Sequence, residues 1–276
     1  MGIKDILRKM RLLRTAYYKG QWKKAIKKIP KEEYIAGIAR LEAYKDKYKG
    51  QRCVVIGNGP SLTAQDLDML KDEITFASNR IYNIYDKTCW RPTFLCAQDL
   101  MVIDDICEKL PEVSQESQLT ILTTGAYDRC KDLAKGIKNL VWMPLRYIPP
   151  RNDRYVFSGD ASQMVAEGLT ITYSCMQLAA YMGFTEIYLL GIDHNYSIEI
   201  DKNGKIVKQD TSVKNYFQGS GEAKPGNPPQ VIEMTYAYLS AEPYSRNHGF
   251  RIFNATRGGK LEVFERKNFD DVFGKK

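Results

Sequence analysis

The sequence has few of the side chains that metal centres and disulfide frameworks use. Its 276 residues include two histidines, His194 and His248, and six scattered cysteines, none of which forms a C-x-x-C pair. With 43% apolar residues, the chain can build a core without disulfides, so we expect free thiols in a reducing cytoplasm and no resident metal. No apolar segment reaches the ~18 residues of a membrane span, and the N-terminal residues lack the apolar run of a signal peptide.

The lysine-containing phosphate loop of ATP-binding proteins is also missing. The stretch CVVIGNGPSL, residues 53–62, runs from an apolar strand into a Gly-Asn-Gly-Pro-Ser turn. Without the lysine, ATP is disfavoured. A strand, glycine turn and helix still offer backbone N–H groups and a positive helix end to an anion. Two interpretations stay open: a nucleotide site, in which Asn58 contacts a sugar or phosphate oxygen, or a structural turn after a buried strand.

Positive charge is concentrated at the N-terminus. Residues 1–30 hold ten Lys and Arg and one acid, whereas the other residues carry 31 basic and 32 acidic side chains. Apolar residues recur there at helical spacing, which predicts a basic amphipathic arm. With Tyr17 and Trp22 at its apolar edge, this arm suits an anionic membrane surface. A helix docked on the body is the alternative, and nucleic acid is disfavoured because no aromatic–basic reading motif is present.

Strand and helix patterns alternate through residues 31–276. Each strand is nearly continuous in apolar residues, which predicts a single α/β, Rossmann-like domain with a mostly parallel sheet and helices on both faces. Ligands of such sheets bind at the carboxyl ends of the strands. Polar side chains fall at these ends, namely Asn58, Asn79, Asp99, Asp193 and His194. Residues 199–230 are polar and rich in Gly, Pro and Lys, so we expect a lid loop there.

His194 is the first candidate for a general base. It follows a predicted strand directly after Asp193, which we expect to orient or charge the imidazole ring. The alternative is that Asp193 caps a turn and His194 is a structural loop residue. His248 is expected at the surface.

Three segments together resemble the bacterial sialyltransferases of glycosyltransferase family 42. They are VVIGNGPSL, SNRIY and TITYSCMQLAAYMGFTEIYLLGID. GIDHNY and FNATRGGKLEVF make the chain similar also to the related 6-hydroxymethylpterin diphosphokinase-like family, whose members occur among bacterial surface-polysaccharide genes. The resemblance spans residues 51–264. It implies a transferase that uses a CMP-activated, sialic-acid-like sugar, requires no metal, and activates the acceptor hydroxyl with a general base.

The sequence pattern and the resemblance together predict roles for individual residues. The resemblance itself implies nucleotide contacts for Asn58, Gly59, Ser61, Asn79 and Thr170. The catalytic pair, predicted from its position at a strand end, is His194 and Asp193. The nucleotide-binding residues are Gly57, Asn58, Gly59, Pro60, Ser61, Asn79, Arg80, Gln98, Asp99, Thr170 and Thr172. The lid and phosphate residues are Tyr196, Tyr216 and Ser220, and the acceptor-side residues are Asn254 and Thr256. The sialyltransferases carry a lid histidine, whereas this chain has Phe217-Gln218-Gly219-Ser220 at the corresponding place.

Three functions therefore stay open. The first is a glycosyltransferase that builds a bacterial surface glycan (capsule, lipooligosaccharide or O-antigen) on a glycan or glycolipid acceptor. It would lie in the cytoplasm, at the inner face of the membrane, with homo-oligomerisation left open. The second is a diphosphokinase acting on a pterin alcohol, which needs ATP and Mg²⁺ and predicts Asp99 and Asp193 as metal ligands. The third is a catalytically silent nucleotide-binding protein.

Overall fold

The computed structural model describes residues 11–218 and 228–274. Its helices alternate with its strands along the chain, as the sequence predicts. The α-helices of this part are α1 (Arg11–Lys28), α2 (Lys31–Glu42), α3 (Ala64–Met69), α4 (Leu100–Ile106), α5 (Leu110–Val113), α6 (Tyr127–Ala134), α7 (Ile171–Tyr181), α8 (Val231–Asn247) and α9 (Phe269–Phe273).

Eight parallel strands form the central sheet. The strands of the described residues are β1 (Arg52–Ile56), β2 (Thr75–Ser78), β3 (Phe94–Ala97), β4 (Leu119–Thr123), β5 (Leu140–Met143), β6 (Leu145–Arg146), β7 (Val165–Ala166), β8 (Glu186–Leu190), β9 (Ile198–Ile200), β10 (Ile206–Gln209), β11 (Arg251–Asn254) and β12 (Glu265–Arg266). The order in the main sheet is β12-β11-β8-β1-β2-β3-β4-β5. The remaining strands form two small ribbons, β6-β7 and β9-β10.

Both faces of the main sheet are covered. Because successive side chains of a strand point to opposite faces, Cys53 and Val55 of β1 join one buried cluster, and Val54 and Ile56 join another. Helix α7 lies against the first face, and nine of its residues are buried. The predicted fold class, a Rossmann-like parallel sheet with helices on both faces, is confirmed.

The strand order reverses between β1 and β8. Strands β2 to β5 continue the sheet on one side of β1, and β8, β11 and β12 lie on the other. In open α/β sheets this reversal opens a crevice at the carboxyl ends of the two central strands. The glycine turn after β1 and the Asp193–His194 segment after β8 both lie there, so the topology itself selects this edge as the candidate site.

The basic arm packs on the body over the part that is described. Helix α1 places Tyr18 against Tyr147, with 4.7 Å between the ring centroids, and Lys28 forms an ion pair with Asp128. Ile29, just after the helix, is buried. Of the interpretations left open for the arm, docking on the body is therefore seen for residues 11–28, and residues 1–10 lie outside the described part.

Local contacts set the ends of two helices. The cap of α3 is Thr63, whose hydroxyl accepts a hydrogen bond from the Asp66 N–H. Helix α8 continues through Pro243 to Asn247. None of the described helices combines the length and the apolarity that crossing a bilayer requires.

Candidate functional site

The glycine turn is packed tightly against the end of β8. The Gly57 N–H donates to the Leu190 carbonyl at 2.8 Å, and the Gly59 N–H donates to the Gly191 carbonyl at 2.9 Å. A Cβ at position 59 would lie 2.6 Å from the Gly191 oxygen, closer than real Cβ atoms approach. Part of the motif is therefore structural, since only glycine lets the turn approach the neighbouring strand this closely.

The Asp193 carboxylate fills the mouth of this turn. The Ser61 hydroxyl donates to Asp193 Oδ2 at 2.7 Å, and the Ser61 N–H donates to the same oxygen at 3.4 Å. Burial raises the pKa of Asp193, and the bonds from Ser61 partly oppose this. The turn thus holds a carboxylate of the chain itself where an anion was expected.

Two asparagine oxygens beside the turn have no partner within the described residues. Asn58 Nδ2 donates to the Ser78 carbonyl at 3.0 Å, which orients the amide and leaves Oδ1 buried and unpaired. Asn79, the residue after Ser78, has a φ of 58°, and its Oδ1 is also buried and unpaired. A buried acceptor without a donor costs about 1–3 kcal/mol, so this pair favours a ligand that donates hydrogen bonds, such as a ribose hydroxyl or a base amino group.

The start of α7 and the end of β3 continue this edge of the sheet. Thr170 caps α7 by accepting the Thr172 N–H at 3.3 Å, and the Tyr238 hydroxyl lies near both threonine side chains. One turn further along α7, the Ser174 hydroxyl donates to Gln98 Oε1 at 2.6 Å. The predicted nucleotide residues Gln98, Thr170 and Thr172 therefore lie along one edge.

Asp99 has a helix-capping function in the structure. Its Oδ1 accepts the N–H groups of Met101 and Val102 at 2.8 and 3.3 Å, at the start of α4. Within the described residues, no group of three or more His, Cys, Asp or Glu side chains is arranged to hold a metal ion. The diphosphokinase alternative predicted Asp99 and Asp193 as ligands, and each of these carboxylates has a hydrogen-bonding role of its own.

His194 is a buried, neutral imidazole. It is 7% exposed, and burial lowers its pKa to about 4. The Thr235 hydroxyl donates to the Val231 carbonyl at 2.9 Å, so in its 2.7 Å contact with His194 Nε2 it accepts a hydrogen bond from the ring N–H. The second ring nitrogen, Nδ1, is then an unprotonated acceptor, and it is buried without a partner in the described part of the chain. The hydrogen bonds of Asp193 and His194 thus go to Ser61 and Thr235 respectively.

Arg80, one of the predicted nucleotide-binding residues, and Arg257, in the loop after β11, are both in ion pairs. Arg80 bonds to Asp105. Arg257 bonds to Asp66 at 3.0 Å and to Asp270 at 2.5 Å, and these carboxylates raise its pKa. Both guanidinium groups stabilise the body in this structure, and a ligand phosphate would have to compete with carboxylates for them.

The two acceptor-side candidates are buried in internal hydrogen bonds. Asn254 Nδ2 donates to the Leu261 carbonyl at 2.8 Å, and its Oδ1 accepts the Thr256 N–H at 3.0 Å. The Thr256 hydroxyl in turn accepts the Ile192 N–H at 3.1 Å. These contacts hold the loop after β11 against the end of β8, which is the strand-terminating role that the sequence pattern also allows.

The described part of the predicted lid segment packs against the glycine turn. The Phe217 N–H donates to the Asn58 carbonyl at 3.0 Å, and the Phe217 ring is buried among the residues beneath the turn. Tyr196 lies next to His194, with 6.5 Å between the ring centroids, whereas Tyr216 is exposed. Ser220, the third lid residue predicted from the sequence, lies outside the described residues.

A cavity of about 950 Å³ opens along the same sheet edge, beyond β3. Its floor includes Gln98 and the segment after β4, and α1 forms one wall. Aromatic side chains, amides, hydroxyls and a few charges line it together. This size and mixture are typical of a site for a polar organic molecule. Neighbouring parallel strands are about 4.8 Å apart, so the cavity begins about 10 Å from the glycine turn of β1.

Glu167 is a titratable group of this cavity that the sequence analysis did not identify. It follows the short strand β7, and its N–H donates to the Arg146 carbonyl at 2.9 Å. Burial, and secondarily the Asp99 carboxylate, raise its pKa to about 7. The available signal was a single acid inside the apolar stretch MVAEGLTI. It was missed because the sequence pattern predicts neither a helix nor a strand for residues 146–169.

The family comparison agrees with the resemblance inferred from the sequence. A model of the family described as 6-hydroxymethylpterin diphosphokinase MptE-like matches residues 25–199. The matched part contains the glycine turn, Glu167, α7 and the Asp193–His194 segment. Comparison with curated protein sequences finds no match.

Solved structures with a similar fold include bacterial transferases. One is the MAf glycosyltransferase from Magnetospirillum magneticum AMB-1, with 16% identity, a TM-score of 0.48, and coverage of 86% of this chain but 38% of that protein. Two are the sialyltransferase CstII from Campylobacter jejuni. The complex with the substrate analogue CMP-3FNeuAc has 12% identity, a TM-score of 0.45, and covers 78% of this chain and 85% of CstII. The complex with cytidine-5′-monophosphate has 14% identity, a TM-score of 0.43, and covers 78% and 84%.

The family match extends over more than half of the chain, and its bounds enclose the sheet edge on which the candidate site is built. The chain belongs to the 6-hydroxymethylpterin diphosphokinase MptE-like family.

Proposed function

We propose that the protein is a glycosyltransferase that transfers a sugar from a CMP-activated, sialic-acid-like donor to a glycan acceptor of the bacterial surface. The observation that carries this proposal is the position of Glu167. Its carboxyl group, with a pKa of about 7, lines a cavity large enough for sugar residues. That cavity adjoins the sheet edge at which Asn58 Oδ1 and Asn79 Oδ1 are buried without a hydrogen-bond donor in the described residues.

The nucleotide half of the donor fits the edge formed by β1, β2 and α7. Asn58 and Asn79 supply acceptors for the hydroxyl or amino groups of a nucleoside. The start of α7 offers its N-terminal end to the phosphate. A donor bound in this way extends along the sheet edge from β1 towards the cavity beyond β3.

Glu167 is the proposed general base. A base works best when its pKa lies near the operating pH, which Glu167 fulfils and His194, with a pKa of about 4, does not. In the reaction, the acceptor oxygen bonds to the anomeric carbon of the donor while the hydroxyl proton passes to Glu167. The bond between that carbon and the phosphate oxygen breaks, and CMP leaves with the bonding electrons.

We propose that His194 positions the substrate through a hydrogen bond. Its unprotonated Nδ1 has no partner within the described residues, so it can accept a hydrogen bond from a sugar hydroxyl without taking up the proton. Asp193, which bonds to Ser61, keeps the glycine turn and the end of β8 together. These roles differ from those expected from the sequence, in which Asp193 orients His194 and His194 is the general base.

A diphosphokinase is the second candidate, because the family description itself names 6-hydroxymethylpterin diphosphokinase. That reaction also activates an alcohol, so Glu167 would fit either function as base. The two differ in the nucleotide: ATP with Mg²⁺ for the diphosphokinase, and CMP without a metal for the glycosyltransferase.

Thermal melting with a panel of nucleotides separates these functions. A ligand at 100 times its dissociation constant stabilises the fold by about 2.7 kcal/mol. We expect CMP to raise the melting temperature in the presence of EDTA. A rise only with ATP and Mg²⁺ would favour the diphosphokinase, and no rise with any nucleotide would contradict both enzymes and favour the catalytically silent protein.

Variants at Asn79 test whether binding uses the proposed edge. Glycine adopts a φ of 58° readily, so Asn79→Gly removes the unpaired oxygen without straining the backbone. We expect it to weaken CMP binding about fivefold, the effect of roughly 1 kcal/mol for one hydrogen bond. Asp46→Gly is the matched control, because Asp46 has a φ of 57° in an exposed loop; an equal loss in both variants would contradict the assignment.

We also propose that the outer face of α1 meets an anionic membrane surface, where a glycolipid acceptor is presented. On this face Leu12 is 86% exposed, and Lys19, Lys23, Lys24 and Lys27 are exposed. Basic side chains beside exposed apolar ones are the composition that binds anionic lipid headgroups. The helix can thus contact the body through one face and lipid through the other.

A further inference from the structure

Three buried N–H groups of the cavity have no hydrogen-bond partner within the described residues. They are Arg14 Nε, Trp22 Nε1 and Arg146 Nε, and all three side chains line the cavity. Leaving a buried donor unpaired costs about 1–3 kcal/mol. Three such donors in one cavity indicate a ligand that supplies acceptor atoms.

These donors come from two parts of the chain that meet at the cavity. Arg14, Tyr18 and Trp22 are four residues apart in turn and therefore lie on one face of α1. The Arg146 guanidinium lies 5.6 Å from the centroid of the Trp22 ring. Tyr147, the next residue, is close enough to Arg14 for that charge to lower its pKa, although burial raises the pKa overall.

No acid of the described residues forms an ion pair with either arginine. None of the ion pairs found among residues 11–218 and 228–274 includes Arg14 or Arg146. Three carboxyl groups line the cavity. Glu233 accepts the Tyr155 hydroxyl at 3.0 Å, Glu167, with its raised pKa, is partly protonated at neutral pH, and Asp153 forms none of these ion pairs with the two arginines. A guanidinium matches carboxylate and phosphate in geometry and charge, which makes an anionic group the best complement.

We propose that the cavity is the acceptor site of the transfer and that it selects an acceptor sugar bearing a carboxylate or a phosphate, held by Arg14 and Arg146. This inference rests on the proposed function. The aromatic rings of Trp22, Tyr18 and Tyr147 pack against the sugar, and the acceptor hydroxyl faces Glu167. The arm is then part of the active site, because α1 supplies one of the two arginines.

Calorimetric titration with defined sugars tests this selection. The probes are sialyllactose for the carboxylate, lactose 1-phosphate for the phosphate, and lactose as the neutral reference, each titrated with and without saturating CMP. We expect at least one anionic probe to bind about tenfold or more tightly than lactose, the effect expected for hydrogen bonds to a charged group. Equal affinity for all three probes would overturn the proposal.

Substitutions then assign the selection to the two arginines. Arg14→Gln and Arg146→Gln should each remove most of the preference for the anionic probe and leave lactose binding unchanged. Arg14→Lys and Arg146→Lys should retain part of it, because they keep the charge but lose the planar fork. Arg246→Gln, on the exposed side of α8, is the control. A preference that persists in both glutamine variants, with melting temperatures like the wild type, would contradict the assignment.

The donor is the other source of a sugar carboxylate, and a separate titration distinguishes it. We expect CMP-sialic acid to bind the wild type and Arg14→Gln equally. If the variant loses affinity for CMP-sialic acid but not for CMP, the arginines hold the donor, and the acceptor proposal is wrong. If CMP itself fails to bind the wild type, the proposed function fails, while the probe titrations without CMP still decide whether the cavity selects anionic sugars.

Discussion

Replacing Glu167 should stabilise the folded protein, although this residue is proposed to be essential for transfer. Burial raises its pKa from 4.5 to about 7, so between these pH values the unfolded chain is ionised and the folded chain still holds its proton. At 1.36 kcal/mol per pKa unit, the folded state loses about 3 kcal/mol of stability as pH rises from 4.5 to 7. Glu167→Gln keeps the shape and removes this loss.

The assay is chemical unfolding of wild type and Glu167→Gln at pH 4 and pH 8. We expect similar stability at pH 4, and at pH 8 a variant more stable by up to about 3 kcal/mol, with a melting temperature roughly 5–10 °C higher. Glu108→Gln, at an exposed position, should show no such pH dependence. If Glu167→Gln is less stable than the wild type at pH 8, or differs from it equally at both pH values, the desolvation of Glu167 is refuted.

The remaining predictions concern the turn, the histidine and the arm. Gly59→Ala places a Cβ 2.6 Å from the Gly191 oxygen and should destabilise the fold by about 1–3 kcal/mol; an unchanged urea midpoint would show that the turn is loosely packed. Burial lowers the pKa of His194 to about 4, so this residue alone should contribute a loss of up to about 3 kcal/mol as pH falls from 6.5 to 4, opposite in sign to the contribution of Glu167. His194→Asn should abolish this part of the acid sensitivity, and an identical pH dependence would mean that the ring is solvated. Replacing Lys23, Lys24 and Lys27 by Glu should abolish binding to phosphatidylserine vesicles at low salt, while the melting temperature stays unchanged. If the variant still binds the vesicles, α1 packs on the body but does not bind the membrane through these lysines.

The sheet and the location of the site could be predicted from the sequence for a clear physical reason. Parallel strands buried on both faces must be continuously apolar, so their ends are visible as the first polar residues, such as Asn58 after β1 and Asp193 after β8. The strand-ending residues Asn58, Asn79 and Gln98 therefore lie on one edge, as expected.

The cavity could not be predicted, because its walls come from distant parts of the chain. Arg14 and Arg146 line one cavity only when α1 packs on β6, and no local periodicity encodes that packing. The pKa of Glu167 depends on the same packing. Arg257 is a similar case, since its partner Asp66 lies 191 residues away, and the sequence offered no means of distinguishing an ion pair from a phosphate-binding arginine.

The most direct measurement is the release of CMP from CMP-sialic acid in the presence of EDTA, with sialyllactose, lactose 1-phosphate and lactose as acceptors, followed from pH 5 to 9. We predict CMP release that needs no divalent cation and rises with pH through a midpoint near 7, because the base must lose its proton before it acts. Glu167→Gln should abolish this release. Absence of CMP release across the pH range, together with release of AMP from ATP when Mg²⁺ and a pterin alcohol are added, would contradict the proposed glycosyltransferase.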